Sequence, residues 1–252
     1  MRLTPEQVRD ALNSRCDTVK VVHCAFDKVR LHHEIETPPD LLICHAFDYS
    51  LLGTGVVPAL NALKRGEALL PGATVLPAAA RVWAVGVRVL PEMGVPVHMA
   101  ATEQLFWSPV ARPVDLDHKH WRRTLQPVTA AACVLGFDFR ADAPPIKPER
   151  RPLDLRVTAD GPVNAIVFWY ELHLGDGEGG VLSTAPSAAL PDGATRLQLG
   201  QAMQFVPPQQ VAPGESLRLA ASHNRHRILF EPIFSTPVEH LRAKRSGHGL
   251  MP

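Results

Sequence analysis

The stretch Asp40-Leu-Leu-Ile-Cys-His-Ala-Phe-Asp-Tyr-Ser-Leu-Leu-Gly-Thr-Gly-Val-Val-Pro-Ala59 constrains this chain more than any other. It reads as a buried strand, a glycine-pivoted loop and a helix entry, the arrangement in which α/β enzymes keep their chemistry at strand ends. Leu69-Leu-Pro-Gly-Ala-Thr-Val-Leu-Pro-Ala-Ala-Ala-Arg-Val-Trp-Ala-Val-Gly-Val87 then adds a Pro-Gly turn and two strand-like runs with a proline between them. Upstream, Thr4-Pro5-Glu6-Gln7 offers a hydroxyl N-cap, proline at the first helical position and a glutamine placed to close a capping box, with Val8, Ala11 and Leu12 on one face. Short strands are expected at Val19 to Val22 and at Lys28 to Leu31, with the third and most buried at Asp40 to Cys44. A helix follows from Val56 to Leu63, then strands near Thr74 to Leu76 and Arg81 to Leu90.

From Pro91 onward the signals are those of antiparallel β structure: Ala132 to Phe139, Val163 to Leu174, Gln201 to Val206 and Ser216 to Ala221, each bounded by Gly, Pro or Asp. The 24 prolines and 17 glycines spread along the 252 residues favour frequent turns and few long helices. The expected fold class is therefore α/β plus all-β: an α/β part over residues 1–90, an antiparallel β-barrel or sandwich over 91–235, and a basic tail over 236–252. Asp142 to Pro152, with four prolines among basic residues, reads as an exposed loop. Gly175 to Gly180 reads as a hairpin connection.

The 26 basic and 25 acidic side chains nearly cancel, so no global electrostatic grip on nucleic acid or on an anionic membrane is expected. Cys16, Cys24, Cys44 and Cys133 lie far apart with no Cys-x-x-Cys, which favours a reducing, intracellular setting, cytoplasmic or nuclear. No apolar run approaches the roughly 18 residues of a membrane span, so a soluble chain is expected.

The segment from Asp40 resembles the active-site segment of the protein arginine N-methyltransferase family. Asp40 to Ile43 match its strand, Phe47-Asp48 and Leu51-Leu52-Gly53 the loop of the seventh, monomethylating subgroup, and Gly55-Val56-Val57-Pro58 the helix entry. The likeness continues through Val163 to Leu174, Leu182-Ser-Thr-Ala-Pro186, Gln201 to Val206 and Gly214-Glu-Ser-Leu-Arg-Leu219, in the order and spacing of the family's barrel strands. It implies that residues 1–90 are a partial Rossmann-like methyltransferase domain joined to a barrel that serves substrate binding and oligomerisation, S-adenosylmethionine as methyl donor, and a protein substrate or partner.

The same comparison places His45 and Thr54 where the family carries its two glutamates. Methyl transfer to arginine needs a guanidinium held with its nitrogen aimed at the sulfonium methyl, and two carboxylates supply a bidentate, charge-assisted clamp. A neutral imidazole accepts one hydrogen bond, a protonated one repels the substrate, and a hydroxyl carries no charge. Losing both acids is worth about 2–5 kcal/mol, the scale of a buried charge deprived of its partner. The resemblance thus implies a site that is inactive toward arginine, or altered. The family's substrate-loop Thr-His-Trp falls on Leu197-Gln198-Leu199. Its cofactor glycine-rich turn is expected upstream of residue 1, since no Gly-x-Gly-x-Gly occurs before Val19. A sheet lacking that unit has an open flank, which more upstream sequence or a packed partner would cover.

Two aspartates are candidates by position. Asp27 falls where the family has an acid near the adenine ring, or is a solvated turn residue, and Asp48 is a replacement acid in the substrate loop, or a turn or helix cap. His23, His32, His33, His118 and His120 match no zinc spacing, so no metal is expected. Trp83, Trp107, Trp121 and Trp169 suggest an aromatic cage for a cation, although Trp83 and Trp169 sit in apolar strands where core packing is the simpler role. Arg122-Arg123 and Arg150-Arg151 are too short for a nucleic-acid footprint. A noncatalytic protein-binding or scaffolding module on the same fold is the second functional expectation.

Overall fold

The computed structural model describes residues 22, 24, 28–30, 32, 33, 35–66, 68–70, 72–90, 110–175 and 180–233. The expected helix from Thr4, most of the Val19 to Val22 run, Asp27, His23, Trp107 and the basic tail lie outside them. Residues 28–30 form no strand.

Strands β1 (Leu41–Ile43) and β2 (Thr74–Leu76) pair in parallel, Leu41 opposite Thr74 and Ile43 opposite Leu76. Parallel neighbours need a crossover, and α1 (Val56–Arg65) supplies it. The helix begins after Gly55, whose φ of 83° is one that glycine adopts without penalty. It buries Val56, Val57, Ala59, Leu60 and Leu63 on one face, with Lys64 and Arg65 in the last turn, where cations suit the helix dipole. Asn61, also buried, accepts from the Ile146 N–H at 2.9 Å and donates to the Ile146 carbonyl at 2.8 Å.

The remaining elements in chain order are β3 (Ala79–Val89), β4 (Arg112–Val114), α2 (Lys119–Thr124), β5 (Leu125–Pro127), β6 (Ala132–Asp138), β7 (Glu149–Arg156), β8 (Gly161–His173), β9 (Val181–Ser183), β10 (Thr195–Arg196), β11 (Gln201–Val211), β12 (Ser216–His223) and β13 (Ile228–Pro232). Eight of these strands make one sheet built on β8. On one side β8 pairs with β3, from Ala79 opposite His173 to Val87 opposite Ala165. On the other it pairs with β11 and β9. Beyond β3 lie β5 and β6, beyond β11 lies β4, and β10 joins β9 in parallel. The run of β8 is apolar almost throughout because both its faces are covered. Ile166, Phe168, Tyr170 and Leu172 face the larger core with Leu51, Leu52, Val56 and Leu60, while Ala165, Val167 and Trp169 face a smaller one with Val85, Val87 and Met203.

A separate antiparallel sheet has the order β7, β12, β13. The Gln204 side-chain amide links it to the large sheet, donating to the Phe230 carbonyl at 2.7 Å and accepting from the Phe230 N–H at 3.0 Å.

This architecture corrects the expected fold class. Among the described residues no sheet closes into a barrel, the helices are the ten-residue α1 and the six-residue α2, and only two strands form the parallel pair beside α1. What forms is a mixed, mainly antiparallel β region in place of a Rossmann-like layer followed by a barrel. The physical reason lies partly in β3. It precedes residue 90, yet its register with β8 runs over nine residue pairs and draws it into the large sheet.

Two local expectations are also corrected. The Asp40 to Cys44 strand is not the most buried, since Leu41 is 46% and Ile43 69% exposed on a face that nothing among the described residues covers. Residues 149–152, expected in a loop, belong to β7, where Pro152 is tolerated because β7 pairs only with β12 and so lies at an edge.

Candidate functional site

Between β1 and α1 the chain makes a tight loop whose shape is set by Asp48. Its Oδ1 accepts from the Ser50 N–H at 3.0 Å, the Ser50 hydroxyl at 2.9 Å and the Gly53 N–H at 3.3 Å. A Cβ at residue 53 would overlap the Asp48 carboxylate, which would have to shift. Leu51 is fully buried at φ 72°, a conformation that costs a branched residue about 1 kcal/mol or more and that clusters at functional sites.

The loop is pinned to the large sheet from below. Tyr170 of β8 donates its hydroxyl to the Asp48 carbonyl at 2.8 Å. Burial, with the Asp48 carboxylate adding to it, pushes that phenol well above its ordinary range, so it stays a donor. Phe47 packs on Phe139 and Tyr170 with ring centroids 6.0 and 6.5 Å away, and Tyr49 donates to the Ala111 carbonyl at 3.1 Å. Burial also raises the Cys44 thiol, which leaves it a small neutral core residue.

His45 and Thr54 are both exposed on this loop. The Thr54 hydroxyl donates to the carbonyl of Ala46, the residue after His45, which ties the end of the loop to its start. They present an imidazole and a hydroxyl already engaged with the backbone. Asp27 lies outside the described residues. Leu197 is half-buried with its N–H on the Ser183 carbonyl, while Gln198 and Leu199 are exposed, and none of the three carries a titratable group.

The acids on residues 35–66 are Glu36, Asp40 and Asp48. Asp48 is engaged in holding the turn, and residues 35–66 contain no Gly-x-Gly-x-Gly. Among the described residues no three His, Cys, Asp or Glu side chains converge on a metal position, and no helix is long and apolar enough to cross a membrane. His118 instead accepts from the His120 N–H at the start of α2.

No protein-family model matches the chain. It is 32% identical over 161 residues to the arginine N(omega)-methyltransferase of Streptomyces achromogenes subsp. streptozoticus, covering 61% of this chain and 41% of that protein. It is 22% identical over a 263-residue alignment to protein arginine N-methyltransferase 7 of Drosophila ananassae, covering 91% and 38%. The chain is homologous to the protein arginine N-methyltransferases. It spans about two-fifths of the length of these two relatives. Two solved members of the family share its fold. The Trypanosoma brucei PRMT1 enzyme-prozyme heterotetrameric complex with AdoHcy superposes with a TM-score of 0.67 at 16% identity, covering 93% of this chain and 75% of that one. Arabidopsis thaliana protein arginine methyltransferase 10 gives 0.61 at 18% identity, covering 86% and 69%.

Tyr170, Tyr49 and Leu51 all lie in stretches that carry the resemblance, but their parts in holding the loop were not legible there. Alternation along Val163 to Leu174 puts Tyr170 on the same face as Phe168, which is a signal for its direction but not for its partner 122 residues away.

Proposed function

We propose that this chain is a protein arginine N-methyltransferase-related polypeptide, nearest the seventh, monomethylating subgroup, that does not itself methylate arginine. The reading rests on the resemblance that puts His45 and Thr54 at the positions of the family's two glutamates, and it is supported by the Thr54 hydroxyl being engaged with the Ala46 carbonyl. A guanidinium brought there meets no carboxylate at either position. The subgroup assignment is supported by Phe47-Asp48 and Leu51-Leu52-Gly53 and by the similarity to the Drosophila protein. The AdoHcy of the Trypanosoma brucei complex supports S-adenosylmethionine as the family's donor, and the enzyme-prozyme pairing of that complex supports a protein partner for this chain.

The test incubates the purified chain with labelled S-adenosylmethionine and an arginine-rich peptide. The expected result is transfer no faster than in the absence of protein. Turnover by the wild-type chain above that background would overturn the reading, and its loss on His45→Ala or Thr54→Ala would assign the catalysis to these side chains.

A further inference from the structure

The face of β8 that points away from the loop carries a buried acid with no role in the site described above. Residues directly opposite each other on antiparallel strands share a face. Arg81 lies opposite Glu171, Trp83 opposite Trp169 and Ala79 opposite His173, so the two indoles, the carboxylate and the imidazole stand side by side. Glu171 is only 6% exposed. Its Oε2 lies 3.7 Å from His173 Nε2, within ion-pair reach but too far for a hydrogen bond, and that nitrogen is buried with no hydrogen-bond partner. Arg81 is exposed and, among the described residues, makes no ion pair with Glu171.

A buried carboxylate is costly unless a cation or several donors complete it. A metal ion fits poorly, because among the described residues no third ligand joins Glu171 and His173. An organic cation fits the surroundings better: its N–H groups can donate to the Glu171 carboxylate and to a neutral His173 Nε2, and flanking indoles attract cations through their π faces. Exposed Arg81 and Cys133, with half-buried Trp83 and His173, leave an approach from solvent. We infer that Glu171 and His173, flanked by Trp83 and Trp169, form a second site, on the opposite side of the sheet from the loop, for a cation of the guanidinium or alkylammonium class.

The test uses the full chain and agmatine, at neutral pH and low salt, followed by tryptophan fluorescence and calorimetric titration. Saturable binding is expected, weakened at least tenfold in Glu171→Gln and unchanged in Asp154→Asn, an exposed acid on the separate sheet. His173→Ala, at a half-buried position, probes the same site if Glu171→Gln does not fold, with affinity expected to fall at least threefold. Absence of saturable binding, or affinity unchanged in a folded variant of either residue, would overturn the proposal. Binding that appears only in Arg81→Ala would also overturn it, since Arg81 would then be the carboxylate's own counter-ion. Methyl transfer enters none of these measurements, so the site stands or falls apart from the proposed function.

Discussion

Gly53 and Asp48 define each other. A single methyl group at residue 53 would meet the Asp48 carboxylate, which must then release the Ser50 and Gly53 donors or drag the loop with it. Gly53→Ala is therefore expected to destabilise the chain by about 1–3 kcal/mol, the range of overpacking, read as a lowered denaturation midpoint with an unchanged slope. The frame of this loop was legible in the sequence, because Gly53, Gly55 and Pro58 are residue types that demand particular backbone shapes. What anchors it was not. Tyr170 reaches the Asp48 carbonyl across 122 residues of chain, and no local pattern announces such a pairing. Glu171 shows the same limit from the other side, since its type suggests exposure and it is buried where β8 lies between β3 and β9.

At the scale of elements, runs of apolar residues told where strands and helices lie better than what they join. The helix expected from Val56 to Leu63 spans Val56–Arg65, and the strand near Thr74 to Leu76 has those bounds. The two- and three-residue strands β4, β5 and β10 carry too few residues to show a period, and the prolines around β7 mimic a loop. Pairing is the deeper gap, because alternation fixes a strand's faces and leaves its neighbour open. Gln204 illustrates this: a buried polar side chain of β11 stands in for a strand partner and fastens β13 to the large sheet. Gln204→Leu leaves the Phe230 N–H and carbonyl buried and unpaired, and is expected to cost about 2–3 kcal/mol in urea denaturation.

For the molecule as a whole, the expectation of a Rossmann-like layer and a barrel failed because it divided the chain at a composition change, while the long register between β3 and β8 crosses that line. The core also sets a pH dependence. His223 is 4% exposed, packs edge-on against Phe137, and is held below its ordinary value by burial, against the pull of Glu149. A depressed histidine leaves stability intact above the unfolded value of about 6.5 and removes it as pH falls through the folded value. Melting temperature is expected to decline from pH 7 to pH 5, and His223→Gln to flatten that decline. Asp138, lowered by its hydrogen bonds from Arg140, acts only in more acid solution, below the ordinary carboxylate range of about 4. One last consequence belongs to the alternation of β8. Tyr170 and Glu171 are joined by a single peptide bond yet lie on opposite faces of the sheet, so the loop anchor and the buried acid ride on the same rail: sliding β8 along its axis would displace both together, whereas twisting either side chain would leave the other in place.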